Sequence, residues 1–300
     1  MGLKLLECGD YWIARVRGAM TGWLAMPGLM DGKRGLVMGV ANDHSIAWGI
    51  AKILAEHGAK LAFTYQGDAL AKRVKPLAEQ AGSSFVMPCD VEDVASVDAV
   101  FNEIKKQWGT MDFLVHAVAF SDKNELKGRY ADSTRENFIR TMVISCYAFT
   151  ESAKRAAALM PNGGAMVTLT YNGGLRAMPN YNVMGVAKAA LEASVRYLAV
   201  DFGPQKIRVN AISAGPIRTL AGAGITDARY MFAFQQKYSP LGRGVTLEEL
   251  GGAGLYLLSD LSTGVTGEIH FVDSGYNVIA MPQPDALKAS GATDNGNGGQ

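Results

Sequence analysis

Seven short apolar runs alternate along this chain with longer segments of helical periodicity, and this alternation constrains the fold more than any other feature. Runs of this length are typical of strands, and strands separated by helices pair in parallel. The runs are nearly continuous in apolar residues, as expected when helices cover both faces of a sheet. The pattern predicts an α/β fold: a single Rossmann-type doubly wound domain with a seven-stranded parallel sheet and helices on both faces. The runs occupy residues 34–40, 60–65, 84–90, 112–120, 164–171, 207–214 and 268–275.

The chain has 300 residues, 48% of them hydrophobic, which is enough for one large core. The predicted domain covers residues 31–282. Residues 1–30 precede the first strand and match no motif, so we expect a poorly ordered N-terminal extension. Residues 283–300 are small, polar and glycine-rich, and they predict a disordered C-terminal tail.

Composition and charge exclude several classes of function. The formal net charge is +1, and lysine and arginine are dispersed, so nucleic acid is not an expected partner. The three cysteines lie far apart and the four histidines form no ligand cluster, which predicts a reduced, metal-free protein. Because no apolar run is long enough to cross a bilayer, we expect a cytoplasmic protein without a membrane partner.

A glycine-bearing turn follows the first strand and leads into a helix. It runs from Gly39 to Gly49, with Ser45 as the candidate N-cap residue. A helix N-terminus attracts pyrophosphate through its free N–H groups and its dipole. The spacing departs from the usual dinucleotide fingerprint, so the turn alone fits a nucleotide site and an ordinary helix start equally well.

The ends of the second and third strands offer contacts for an adenosine. Gln66 follows the second strand, where NAD enzymes usually carry a carboxylate for the ribose. No arginine stands beside it to receive a 2′-phosphate, which favours NADH over NADPH. Asp90 closes the third strand, where it either accepts from the adenine amino group beside Val91 or is simply an exposed carboxylate.

Tyr181 and Lys188 are seven residues apart, and Tyr171 lies ten positions before Tyr181. Seven residues are almost two helical turns, so the phenol and the ammonium are predicted to share one helix face. A phenol that donates to a developing oxyanion gains from a nearby cation, which suits reduction of a polarised carbonyl compound. The alternative is that both side chains merely pack.

Residues 32–281 resemble the divergent branch of the short-chain dehydrogenase/reductases, and in particular the bacterial NADH-dependent enoyl-acyl-carrier-protein reductases. The resemblance is carried by GVANDHSIAWG, LAFTYQ, TYNGGLRAMPNYNVMGVAK, RVNAISAGPIRTLA and TGEIHFVDSGYN. Ordinary members of the superfamily have lysine four residues after the tyrosine and serine thirteen before it. Gly185 and Thr168 stand at those positions here, which favours the enoyl reductases.

The resemblance implies a reaction and a set of roles. A trans-2-enoyl thioester receives hydride at its β-carbon, in the last step of each cycle of fatty acid elongation. Tyr181 stabilises the enolate, Lys188 bonds the nicotinamide ribose, and Ser121 contacts substrate. Tyr171 shapes the acyl pocket, and it either delivers a proton or is an aromatic wall only. The residues implied around NADH are Gly39, Ser45, Ile46, Gln66, Asp90, Val91, Val118, Lys188, Ile217 and Thr219.

The resemblance also implies partners. The segment after Pro216 is rich in glycine and alanine, and it is predicted either to close over the acyl chain or to be an ordinary surface loop. The acyl carrier protein that brings the enoyl substrate is expected to dock on the helix that follows. Arg229 is a basic residue there, whereas Thr226 and Tyr230 stand where lysines are expected. The family is usually homotetrameric.

Two other functions stay open at this point. One is a short-chain reductase of 3-oxoacyl thioesters or of unrelated enones, because a fold does not fix a substrate. The other is a non-catalytic NADH-binding regulator, which is disfavoured because Tyr181 and Lys188 are both present.

Overall fold

The computed structural model describes residues 28–217 and 228–281. Within these residues all seven predicted strands are present and form one parallel sheet, so the predicted fold class is confirmed. The strands are β1 (Arg34–Met38), β2 (Lys60–Tyr65), β3 (Val86–Pro88), β4 (Phe113–His116), β5 (Gly164–Thr170), β6 (Ile207–Ala214) and β7 (Ile269–Val272).

Helices connect the strands, as the alternation predicts. A π-helical turn, Val143–Tyr147, joins two of them end to end. The helices are α1 (Ile46–Glu56), α2 (Gly67–Gln80), α3 (Val94–Trp108), α4 (Arg135–Met142), α5 (Ala148–Ala157), α6 (Asn182–Phe202), α7 (Ala228–Tyr238) and α8 (Leu247–Leu258).

The sheet has the order β3-β2-β1-β4-β5-β6-β7. The chain builds outward from β1 to β3 and then returns to the other side of β1 with β4. Leu36 of β1 accordingly pairs with Ala62 on one side and with Leu114 on the other. Ligands of doubly wound sheets bind at this reversal, outside the carboxyl ends of the strands. The order therefore places a site beyond Met38 and His116.

Alternate side chains of each strand enter two separate cores. Leu36 and Met38 pack into the core covered by α3, α5 and α6. Val37 packs into the opposite core, covered by α1, α2 and α8. This two-sided burial explains why the strands read as continuous apolar runs.

Close packing of α1 against α8 fixes the position of the N-terminus of α1. A Cβ atom added at Gly251 of α8 would lie 2.6 Å from the carbonyl oxygen of Gly49 in α1. A Cβ atom at Gly49 would in turn lie 2.8 Å from the carbonyl oxygen of Leu247. The two backbones can approach this closely only because neither glycine has a side chain.

The domain begins slightly before residue 31. Met30 is fully buried in the core that α1 covers, and its N–H donates to the carbonyl of His57 at 2.9 Å. The rest of the predicted extension and the predicted tail lie outside the described residues, so both stay predictions. No helix in the described ranges has the length and apolar character needed to cross a membrane. The same residues contain no His, Cys, Asp and Glu group able to hold a metal ion.

Candidate active site

A cleft of about 430 Å³ opens at the carboxyl ends of β1, β4, β5 and β6, at the reversal in strand order. It brings together eight of the predicted site residues and several that were not predicted. The predicted ones are Gly39, Ser45, Ile46, Ser121, Tyr171, Tyr181, Lys188 and Ile217.

Gly39 forms the floor of the cleft just beyond β1. Its φ is +101°, a conformation that is strained for any residue with a side chain. A Cβ atom at this position would also lie 2.2 Å from the carbonyl oxygen of Ala117, in the segment that follows β4. Glycine is therefore required on two grounds, and it lets the backbones of these two segments meet at the cleft.

Ser45 occupies the N-cap position of α1, but its hydroxyl does not cap the helix. The Ser45 Oγ instead accepts from the N–H groups of Ala41 and Asn42, each at 3.0 Å, and donates to Asn42 Oδ1 at 3.2 Å. Ser45 is therefore the N-cap residue of α1 by position, as predicted, but its hydroxyl folds back to close the turn after β1 and makes no capping bond. No side chain covers the first-turn N–H groups of α1 from this position.

Lys188 lies in the second turn of α6, and only 6% of it is exposed. Its ammonium donates to the carbonyl of Leu169, at the end of β5, at 2.8 Å. Burial lowers the pKa of Lys188 to about 8, against the opposing influence of Cys146 and Glu192. An ammonium has three N–H donors, so this contact anchors Lys188 while two donors remain for a ligand.

Tyr181 lines the same cleft and is 7% exposed. It directly precedes the first residue of α6, at the N-cap position, and both side chains reach the same cleft as their spacing predicts. Burial raises the pKa of Tyr181 far above its usual value, and the neighbouring Tyr171 and Glu192 raise it further. The phenol is therefore protonated and can donate a hydrogen bond.

A strained turn presents Tyr181 to the cleft. Asn180 and Asn182, on either side of it, have φ values of +56° and +32°. Positive φ in residues other than glycine costs free energy and persists only where surrounding contacts impose it. The Asn182 side chain supplies one such contact, because its Nδ2 donates to the carbonyl of Glu125 at 3.2 Å.

Tyr171 directly follows β5 and packs edge-to-face against Tyr181, with ring centroids 5.1 Å apart. Its hydroxyl accepts a hydrogen bond of 2.9 Å from Gln235 Nε2 of α7. Burial raises the pKa of Tyr171 to about 12, so this phenol is also protonated. Two neutral phenols thus stand side by side above the end of β5.

Ser121 lies on the wall that follows β4, where α4 holds its hydroxyl. Thr141 Oγ1 donates to Ser121 Oγ at 2.9 Å, and Asn137 Nδ2 donates to it at 3.3 Å. The wall is further tied down by Ser145 of the π-helical turn, whose Oγ accepts from the N–H of Phe120 at 2.9 Å. π-Helical turns are frequent at functional sites, and this one fixes the cleft wall.

Thr168 does not reach the cleft. It is buried within β5, and its Oγ1 donates to the carbonyl of His116 in β4 at 3.0 Å. This is the position at which ordinary short-chain dehydrogenases carry their serine. The Thr168 hydroxyl is therefore hydrogen-bonded within the sheet and does not face the cleft.

Four of the residues expected around the cofactor do not line the cleft. Gln66 and Asp90 lie beyond it along the same sheet edge, after β2 and β3, and Asp90 Oδ1 accepts from the Glu92 N–H at 3.0 Å. Val91 and Val118 pack against the core on the α3 side. Thr219 lies outside the described residues, as does most of the segment predicted to close over the substrate.

Sequence reasoning missed much of the apolar lining. In the sequence, the residues after β4 and on α7 are recognisable only as parts of apolar runs. Nothing in the sequence indicates that they face a ligand. The additional lining residues include Ala41, Ala47, Ala117, Phe120, Lys123, Leu126, Met184, Met231 and Phe232.

The fold and the site together define a class. A doubly wound parallel sheet carries a glycine turn at its reversal point, and a buried tyrosine and lysine face the same cleft. These are the features of a nicotinamide-dependent reductase of the short-chain dehydrogenase type.

Comparison with known proteins narrows the class. The profile of the family described as "Enoyl-(Acyl carrier protein) reductase" matches residues 39–277. The chain therefore belongs to the enoyl-(acyl carrier protein) reductase family. "Enoyl-[acyl-carrier-protein] reductase [NADH] 2" of Rhizobium meliloti (strain 1021) is 72% identical to it over 267 residues, which are 89% of this chain and 100% of that protein.

Solved structures agree in fold as well as in sequence. FabI from Candidatus Liberibacter asiaticus is 60% identical with a TM-score of 0.84, covering 86% of this chain and 100% of that one. The reductase from Anaplasma phagocytophilum, solved in complex with NAD, is 56% identical with a TM-score of 0.83, covering 86% and 98%.

Proposed function

We infer that this protein is an NADH-dependent enoyl-acyl-carrier-protein reductase, which saturates the trans-2 double bond of enoyl thioesters during fatty acid synthesis. The observation that carries this inference is the burial of Tyr181 and Lys188 in one cleft at the reversal of the sheet. The names of the family and of its NADH-dependent relatives support the reaction and the cofactor.

The residues present fit a dinucleotide. Gly39 lets the turn after β1 lie directly against the Ala117 backbone, and the Ser45 side chain does not cap the first turn of α1. Together they offer backbone N–H groups to a pyrophosphate. We propose that Ile46 and Ile217 contact the cofactor within the cleft, and that Gln66, Asp90, Val91 and Val118 extend its site along the sheet edge. Thr219 is proposed on the resemblance alone.

Lys188 and Tyr181 have different roles in this proposal. We propose that the two ammonium N–H groups not used on Leu169 bind the nicotinamide ribose and hold the ring beside the substrate. When bound, NADH supplies the hydride. Tyr181, a protonated phenol, donates to the thioester oxygen as negative charge develops there. A donor that is already in position stabilises the transition state more than the ground state. Loss of one such donor commonly lowers the rate by about two to three orders of magnitude.

The acyl chain is assigned to the apolar part of the cleft. Leu126, Met184, Met231 and Phe232 line it together with Tyr171. This lining suits a saturated hydrocarbon chain and excludes water from the reacting carbons. We propose that Ser121 contacts the substrate on the opposite wall.

Thr168 argues against a 3-oxoacyl substrate. Reduction of a ketone in ordinary members of the superfamily uses a serine hydroxyl at this position, beside the catalytic tyrosine. The Thr168 hydroxyl donates into the sheet instead, to the carbonyl of His116. Thr168 therefore does not supply the hydroxyl donor that ordinary members of the superfamily use for a ketone oxygen.

We further propose that acyl carrier protein delivers the substrate in the cytoplasm and that four copies of the chain associate. Tyr197 and Val200 on α6 are each 75% exposed, and they form an apolar face that a second copy would cover. Tyr230 on α7 is exposed near the cleft, where a carrier protein has access to it.

NADH oxidation by the purified protein tests the reaction. We expect consumption of a medium-chain trans-2-enoyl thioester, with little activity on the matching 3-oxoacyl thioester and with NADH preferred to NADPH. Activity on the 3-oxo compound alone would indicate the ketone-reducing branch. NADH binding without turnover of either compound would indicate a non-catalytic regulator.

Tyr181→Phe tests the mechanism. We expect turnover to fall by about two to three orders of magnitude, because a preset oxyanion donor is lost, while NADH binding stays nearly unchanged. Lys188→Ala is expected to weaken NADH binding as well. Tyr147→Phe is the matched control, because Tyr147 is 56% exposed on the π-helical turn and away from the cleft. Unchanged turnover in Tyr181→Phe would remove Tyr181 from the mechanism.

A further inference from the structure

Gln235 is a buried polar residue that the reaction as described does not use. It lies in the penultimate turn of α7 and is 4% exposed. Its Nε2 donates to the Tyr171 hydroxyl at 2.9 Å. Its Oε1 is buried and has no hydrogen-bond partner among the residues that the structure describes.

This arrangement is unfavourable for stability. A buried amide oxygen without a partner carries a desolvation cost of about 1–3 kcal/mol, which a methionine or leucine of similar size would avoid. The single hydrogen bond to Tyr171 contributes only about 0.5–1.5 kcal/mol in return. Buried polar atoms without a hydrogen-bond partner are expected chiefly at functional sites.

The direction of the hydrogen bond from Gln235 to Tyr171 indicates a role for Gln235. A phenol has one hydrogen to donate and lone pairs with which to accept. In the amide orientation that the structure has, Gln235 Nε2 donates to the Tyr171 oxygen, which leaves the Tyr171 hydrogen for another acceptor. Two other polar groups, Asp273 and Tyr276, are near the Tyr171 hydroxyl, and the Asp273 carboxylate already accepts from the N–H groups of Gly275 and Asn277. Tyr171 lines the cleft, so a ligand there is an acceptor within reach of its hydrogen.

The donor is held firmly in place. Just beyond α7, Ser239 Oγ donates to the carbonyl of Arg243 at 2.9 Å, and the Leu241 N–H donates to the carbonyl of Ser274 at 3.3 Å. The ring of Phe234, the residue before Gln235, packs edge-on against Tyr238 with centroids 4.3 Å apart. The end of α7 is therefore tied to the segment after β7, and Gln235 itself joins α7 to Tyr171 at the end of β5.

We propose that Gln235 is a positioning residue, whose amide donates to the Tyr171 oxygen and so directs the Tyr171 hydrogen into the cleft, toward the reacting substrate. The proposal rests on the proposed function, and it gives Tyr171 a role as a hydrogen-bond donor beyond that of an aromatic wall. It also couples α7, whose Met231 and Phe232 line the acyl pocket, to the end of β5.

A double-mutant cycle tests the proposal. Gln235→Met keeps the size of the side chain and removes the donor, and Gln235→Leu serves as a second variant. Each is measured with an enoyl thioester and NADH, alone and combined with Tyr171→Phe. Gln236→Met is the control, because Gln236 is the adjacent residue of α7 and is exposed. Thermal unfolding and the KM for NADH are recorded for every variant.

We expect Gln235→Met to lower kcat about three- to tenfold, as suits loss of one neutral hydrogen bond. The KM for NADH should stay within about twofold and the Tm should not fall, because no donor to NADH or core contact is lost. In the Tyr171→Phe background the same change should have almost no effect. An equal loss in both backgrounds, or no loss in the wild-type background, would overturn the proposal. Absence of turnover by the wild-type protein would instead overturn the proposed function, and it would be seen before any variant is compared.

Discussion

Replacing Gly39 by alanine should damage the cofactor site more than any other single methyl group added to this cleft. The new Cβ would lie 2.2 Å from the carbonyl oxygen of Ala117, whereas ordinary contacts begin at 3.4 Å. The turn after β1 and the segment after β4 would therefore have to separate by about 1 Å. The φ of +101° adds a backbone cost of about 1–3 kcal/mol for a residue with a side chain.

The separation matters because the two segments form opposite sides of the cleft floor. A displacement of about 1 Å at a catalytic site commonly costs about a hundredfold in rate. We expect Gly39→Ala to weaken NADH binding and to lower kcat/KM by about two orders of magnitude, with a measurable fall in the free energy of unfolding.

Calorimetric titration with NADH, steady-state kinetics and urea unfolding measure these effects. Gly252→Ala is the matched control, because Gly252 lies in α8 with nothing within 4 Å of an added Cβ. That change should stabilise the protein by about 0.5–1 kcal/mol, since alanine is a better helix former. NADH affinity in Gly39→Ala within about twofold of wild type would refute the reasoning that the cofactor site requires glycine at position 39.

The remaining predictions concern the charge of Lys188. Because burial lowers its pKa to about 8 and its ammonium is the ribose-binding form, kcat/KM for NADH should fall as the pH rises through about 8. A pH profile with no fall below pH 10 would contradict this. The Glu192 charge raises the pKa of Lys188, so Glu192→Gln should move the fall to lower pH while leaving the plateau nearly unchanged. Cys146 acts in the same direction as Glu192, and His116 should stay neutral because burial lowers its pKa to about 3. A profile unmoved in Glu192→Gln would show that Glu192 does not set this charge.

The sheet could be predicted from the sequence because its central strands are buried on both sides and therefore form continuous apolar runs. The ends of the strands could not be predicted to the residue. The predicted run 112–120 corresponds to a strand of Phe113–His116, since the chain then leaves the sheet to form the cleft wall. Apolar side chains that face a ligand have the same hydropathy as those that face a helix, so periodicity cannot separate them.

Site residues on the strand ends and on α6 were likewise accessible to sequence reasoning, but their local geometry was not. The spacing of Tyr181 and Lys188 predicts one helix face, yet the positive φ values of Asn180 and Asn182 set Tyr181 before the helix. Gln235 is 64 residues from Tyr171, and only the packing of α7 on the end of β5 brings them together. Its one sequence signal is a polar residue on the buried face of a helix that also carries Met231.

Burial is the largest cause of both protonation states in the cleft, and these states suit stabilisation of a developing oxyanion better than oxidation of an alcohol. Desolvation disfavours charge, so it raises the pKa of Tyr181 and lowers the pKa of Lys188. Below a pH of about 8 the cleft therefore contains a neutral phenol and an ammonium, both of them hydrogen-bond donors. Oxidation of an alcohol needs a base that accepts the hydroxyl proton, and a phenol with so high a pKa is a poor candidate, because its anion is almost unpopulated. A cleft of donors instead stabilises an oxygen that gains negative charge, which is what hydride addition to a conjugated thioester produces.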